Sequence, residues 1–370
     1  MILVFLTENP VAMKINNWQK RWQAALQEQH RQMFDYDMRA LKECFAQHVN
    51  CPVCSTDSRK AKLTFHKDMF RYYRCPTCLL VYMNPRLNNE ATAAFYNSLV
   101  NAIYNESKFD AVSDNNLDDR INAENVQILD AVRKTGSKGK ILEIGCAKGH
   151  FLSQAKGSGY QVWGLELNQK NCAYAADILG PTIINKGLLD ARFNGGMFDV
   201  VYMRDVIEHL PNPREIMQEI NRILKPGGMV FIETHNIDSL INSAVREKHT
   251  VIFGFEHPVH WSPRSLAYLL RNSGFEVTDT CFRSMDFTVA CLLSYFIEPT
   301  FTTILPWRKP PFVKLILKIV RKPFNLYPLK WVDEKFTPQI ANKLKRGSTM
   351  KVFAKKVKSI PCPVKGGVNA

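Results

Sequence analysis

Apolar positions change their rhythm along the chain. From Asn17 to about Val49 they fall at Trp18, Trp22, Ala25, Leu26, Met33, Tyr36, Ala40, Leu41, Cys44 and Phe45. This three-and-four spacing predicts one long amphipathic helix within residues 1–50, packed on the body of the protein or, alternatively, reaching a second copy as a dimer arm. From Lys140 the pattern becomes short apolar runs separated by helical stretches: KILEIG, QVWGLEL, PTIIN, FDVVYM and GGMVFIETH, then a helix over 263–273, the strand GFEVTDTCF and a late strand TMKVFAKKV. Such alternation predicts an α/β fold, a parallel sheet with helices on both faces, whose last two strands form an antiparallel pair at its edge. Residues 87–135 read as a mostly helical connector ending in the turn TGSKG.

The segment 51–86 has a different signature. CPVC at 51–54 and CPTC at 75–78 are two Cys-x-x-Cys pairs separated by 20 residues. Two thiolates three positions apart can share one ion, and two such pairs close a tetrahedron. Cys51, Cys54, Cys75 and Cys78 are therefore the expected ligands of a structural zinc with no position left for water, and KLTFH, FRYYRC and LLVYMNPR outline a small zinc ribbon. The other six of the ten cysteines are scattered, which fits a reducing compartment better than a disulfide framework. The opening MILVFL has no basic flank and is too short for a signal peptide, so a cytoplasmic location is expected; Met13 is a second candidate start.

At 370 residues and 46% hydrophobic content the chain can bury a sizeable core, and its net charge is +15. That charge is concentrated: from residue 301 onward there are 16 Lys and Arg against two acids. CFRSMDF and STMKVFAKK should flank a hairpin, yet about 60 residues lie between them, far more than a turn requires. Residues 283–346 are thus expected to be an inserted lid, both basic and apolar. In PPFVKLILKIVRKPF, Lys314, Lys318 and Arg321 share one helical face while Phe312, Leu315, Ile316, Ile319 and Val320 cover the others. At about 1.5 Å per residue this helix is too short to cross a bilayer. Its lysines are either the solvated face of a lid or, alternatively, let residues 308–330 touch an anionic inner membrane surface peripherally, which vesicle sedimentation at low salt would distinguish.

The first strand of the main domain ends in LEIGCAKGHF. Gly145, Ala147 and Gly149 let the backbone approach a ligand, and the following helix offers free N–H groups. Glu166 ends the next strand, where a carboxylate can accept both ribose hydroxyl protons. Glu143 lies just before the turn, where it suits an ammonium group or its water shell and would repel a pyrophosphate. Asp190 follows the third strand, FDVVYMRDVIEHL leads to Asp205 and Glu208, and ILKPGGMVFIETHN gives a helix end, a glycine turn and a buried strand. In these motifs, over about 138–282 and again 347–357, the chain resembles the class I S-adenosylmethionine-dependent methyltransferases. The resemblance implies their Rossmann-like sheet, here spanning 136–282 and 347–357. It also implies that Gly145, Ala147 and Gly149 line the methionine end of the cofactor, Glu166 binds the ribose, Leu189 and Asp190 flank the adenine, and Arg204 and Asp205 lie at the far edge. Ala147 departs from the glycine that many members carry there. Similar ribbons precede the methyltransferase domain in a bacterial subgroup, some of whose members act on sugars or surface polysaccharide.

Methyl transfer requires an aligned nucleophile and removal of its proton, a task suited to histidine. His209 follows Glu208, and His257 and His260 lie in FEHPVHWSPRSL, a loop bordering the substrate pocket in relatives; these three are the candidate bases. His235, in ETHN, is a fourth. The expected reaction is O-methylation of a small molecule, glycan or lipid-linked intermediate. An RNA methyltransferase is the enzymatic alternative, disfavoured because no NPPY-type tetrapeptide is present. A non-catalytic zinc-ribbon binding protein is the other.

Overall fold

The computed structural model describes residues 10–38, 40–67, 69–96, 98, 115–134, 136, 139–245, 254–283 and 343–360. Helix α1 (Pro10–Met33) ends at Met33 rather than near Val49. The reason is local: Asp35 Oδ1 accepts hydrogen bonds from the backbone N–H groups of Asp37 and Met38, both at 3.0 Å, a side-chain turn that competes with helix. The chain reverses there, pairing β1 (Phe34–Asp35) with β2 (Ala40–Leu41). Met33, Phe34 and Leu41 consequently bury with Phe70, Phe95 and Phe255. Phe34 meets Phe70 edge-on at 4.8 Å and Phe95 stacks on Phe255 at 5.1 Å, which fixes the helix end on the body of the protein.

Strands β3 (Ala46–Gln47), β4 (Lys62–Lys67), β5 (Phe70–Arg74), β6 (Val81–Met83) and β7 (Arg86–Leu87) build the cysteine module. β3 and β7 pair as a small clamp, and β4, β5 and β6 form an antiparallel meander. Helices α2 (Asn89–Tyr96) and α3 (Asn115–Lys134) follow.

The main domain runs β8 (Lys140–Ile144), α4 (His150–Gly157), β9 (Gln161–Leu165), α5 (Gln169–Leu179), β10 (Ile183–Ile184), α6 (Leu188–Ala191), β11 (Phe198–Arg204), α7 (Pro213–Ile223), β12 (Leu224–His235) and α8 (Leu240–Val245). After these come β13 (Val259–His260), α9 (Pro263–Asn272), β14 (Phe275–Arg283) and β15 (Thr349–Lys356). The sheet order is β10-β9-β8-β11-β12-β15-β14. β8 to β12 are mutually parallel, and β15 enters antiparallel between β12 and β14. The sheet is therefore mixed, as the antiparallel pairing of the last two strands requires. Buried Leu142, Val201, Val230 and Ile232 pack toward α7 and α9, while Ile141, Val200, Tyr202 and Phe231 pack toward α3 and α4, so both faces are covered.

β13 leaves this domain and adds to the edge of β6, so the cysteine module and the main domain share a four-stranded sheet. Most of the expected insertion, including Lys314, Lys318 and Arg321, lies outside the described residues. Among the described residues no helix is long and apolar enough to cross a membrane.

Candidate active site

The parallel strands deliver their C-terminal ends to one edge, where an α/β sheet binds its ligands. At the end of β8, Gly145 and Cys146 donate their N–H groups to Leu165 O, closing the turn onto β9. Gly145 has φ +74, and a Cβ there would lie 2.6 Å from Val206 Cγ2. Gly149 caps α4 in the left-handed region and would meet Leu179 in the same way. Ala147 also has positive φ, 47°, a conformation that costs a Cβ-bearing residue about 1 kcal/mol. The turn is held open by Glu166: its Oε2 accepts from Ala147 N at 2.8 Å and its Oε1 from Asn168 N at 2.7 Å. Each carboxylate oxygen keeps a second lone pair for a hydroxyl.

Glu143 is only 6% exposed, and burial pushes its carboxyl up to about 8 against the pull of Arg204. Its Oε2 has no hydrogen-bond partner among the described residues. A buried acceptor beside a glycine turn fits the ammonium end of S-adenosylmethionine, and the two-oxygen anchor of Glu166 fits its ribose. Leu189 and Asp190 sit on short helix α6 beyond β10, Asp190 exposed. Arg204 donates to the Tyr202 hydroxyl at 2.6 Å and to Asn125 Oδ1 at 2.8 Å, and lies 3.4 Å from Glu233. It thus belongs to a buried polar network beneath the edge, while Asp205, at φ 51°, ends β11 with its N–H on Glu233 O.

Next to this edge the structure gathers four histidines from three segments. His209 follows β11, His235 ends β12, and His257 and His260 lie in and before β13. The His257 ring is 4.6 Å from His209, 5.2 Å from His235 and 5.9 Å from His260, centroid to centroid. His209 Nδ1 is 3.0 Å from Glu256 O. A carbonyl can only accept, so Nδ1 is the donor in this contact. His209 lines a pocket with Met83, Arg86, Leu87 and Phe255. His260 is buried against Tyr72, 5.1 Å between centroids. Glu208 and His235 are 3.1 Å apart, and Thr234 Oγ1 donates to the other Glu208 oxygen at 2.9 Å. Thr234 and Glu256 escape a sequence reading, and Glu208 was visible there only as an acid after the fourth strand, not as the partner of His235.

In the cysteine module both turns have one geometry. Ser55 N donates to Cys51 O and Leu79 N to Cys75 O, with Ser55 and Leu79 both at positive φ. Cys51 and Cys78 sulfurs are 3.4 Å apart, Cys54 and Cys75 sulfurs 3.5 Å, and all four lie within 4.8 Å of one another with no disulfide. The hydrogen bond from Cys78 pulls the Cys51 thiol down to about 6. A tetrahedron of sulfurs about 2.3 Å from one ion has edges near these separations.

The mixed sheet with its reversed seventh strand, the glycine turn after β8 and the acid ending β9 together define a class I methyltransferase fold. Residues 118–280 match the family model described as Methyltransferase domain, and this part of the chain is an S-adenosylmethionine-dependent methyltransferase domain. The ribbon lies outside that match. A ubiquinone biosynthesis O-methyltransferase of Caulobacter vibrioides is 28% identical over 129 residues, covering 33% of this chain and 49% of the relative. One from Thiobacillus denitrificans is 27% identical over 152 residues, covering 38% and 66%. The chain thus spans about half the length of the first of these relatives. A solved methyltransferase from Archaeoglobus fulgidus aligns with a TM-score of 0.41 at 16% identity, over 64% of this chain and 94% of that one.

Proposed function

We propose that the chain O-methylates a hydroxyl on a small molecule, a glycan or a lipid-linked intermediate. Bound S-adenosylmethionine would supply the electrophilic methyl group. Glu166 would hold its ribose, Glu143 its ammonium group, and the backbone from Gly145 to Gly149 its methionine end, with Leu189 and Asp190 beside the adenine. The observation that carries the oxygen assignment is His209: its Nδ1 lies 3.0 Å from Glu256 O, which holds the imidazole at the wall of the pocket, where such a ring can take up a hydroxyl proton. His257 steadies that ring edge-on, and His260 fixes the loop against Tyr72. The relatives named as O-methyltransferases support the same atom. Cys51, Cys54, Cys75 and Cys78 would hold a structural zinc.

The test is transfer from methyl-¹³C cofactor into a metabolite extract, with the product resonance read by NMR. A methoxy carbon is expected, and His209→Ala should lower the rate about 10²–10⁴-fold with unchanged cofactor affinity. Label on nitrogen or in the RNA fraction, or an undiminished rate, would overturn the reading.

A further inference from the structure

Three ligand-type side chains meet beside the pocket from segments distant in the chain. Glu208 lies after β11, His235 at the end of β12 and His257 in the loop before β13. One ligand atom of each lies within 4.8 Å of the other two. Glu208 is 1% exposed and His257 8%, while the His235 side chain keeps one-fifth of its surface, an entry path for a small ion. The surroundings are those of a supported ligand set. Thr234 fixes the Glu208 oxygen turned away from His235, and the Tyr72 hydroxyl, itself buried, donates to His257 O at 3.0 Å.

We propose that Glu208, His235 and His257 bind one divalent transition-metal ion. Two imidazoles and one carboxylate select zinc, cobalt, manganese or iron over magnesium, which takes oxygen ligands. Three protein ligands leave coordination positions open, unlike the four thiolates of the ribbon. Under the O-methylation reading, on which this consequence rests, an acceptor hydroxyl in an open position would be oriented and acidified while His209 takes its proton.

The test uses the full chain with its ribbon saturated by zinc, titrated with cobalt(II) near neutral pH. One further equivalent should bind with visible d–d bands and no thiolate-to-cobalt charge transfer. His235→Ala and Glu208→Gln should each abolish those bands, and Thr234→Val should weaken binding about tenfold. S-adenosylhomocysteine calorimetry, unchanged in each variant, shows that the fold and donor site survive. No cobalt uptake beyond the ribbon, or uptake that persists in both folded ligand variants, would overturn the site and leave Glu208 and His235 as a hydrogen-bonded pair. Cobalt bound as expected without any methoxy product would sustain the metal site and contradict O-methylation.

Discussion

Glu143 carries the clearest consequence at the level of single residues. Its unfolded pKa lies near 4.3, and in the folded chain burial raises it to about 8. The folded state therefore binds the extra proton between those values, so stability falls as pH rises through that window and levels off above about 8. The amplitude is on the order of 5 kcal/mol. Glu143→Gln should abolish this slope, so that thermal unfolding of variant and wild type diverges from about pH 5 to about pH 8; parallel curves would contradict the burial argument. An ammonium group favours the ionised carboxylate, so cofactor affinity should climb over the same window in the wild type alone. Glu143, Glu166 and the glycine turn were legible because a turn that brings backbone to a ligand is written in adjacent residues. The contact of Glu208 with His235 was not: 27 positions separate them, and only the parallel register of β11 and β12 aligns their ends.

Among elements, the strand shared by the two modules was hidden for a similar reason. Val259 and His260 pair with Tyr82 and Val81, and Met83 N donates to Pro258 O at 2.9 Å. The histidine loop is thus hung from the ribbon, and ribbon order should set acceptor geometry without touching the glycine turn. Removing the proposed zinc with a chelator, or Cys75→Ser, should raise hydrogen exchange over residues 254–262 and lower turnover while cofactor affinity holds. Tyr72→Phe, which deletes the bond to His257 O, should cost about 1 kcal/mol and act in the same direction more weakly. Exchange confined to the ribbon would show the modules to be independent. Periodicity did place every strand of the main sheet: the parallel strands buried on both faces read as continuous apolar runs, and the antiparallel edge strand β14 as an alternation of buried and exposed positions. It overran the end of α1 because Asp35 stops the helix through its side chain, a choice that apolar spacing does not record.

For the whole molecule, the proposed function divides the work between two modules. The sheet edge between β8 and β9 would take the donor, and the histidine loop with the cysteine module that carries it would take the acceptor. The parallel sheet with an antiparallel pair at its edge could be inferred from the alternation of strands with helices, but the union of the modules through β6 and β13 could not, since it joins segments about 177 positions apart. The central claim is that the donor site is the one assembled by Glu166 and the turn from Gly145 to Gly149. Calorimetry with S-adenosylhomocysteine tests it most directly, on the wild type and on Glu166→Ala. We predict one site per chain in the wild type and an affinity lower by roughly 30- to 1000-fold in the variant, about 2–4 kcal/mol for the lost charged acceptor of two hydroxyls. A wild type that binds none, or a folded Glu166→Ala chain that binds as tightly as the wild type, would contradict it.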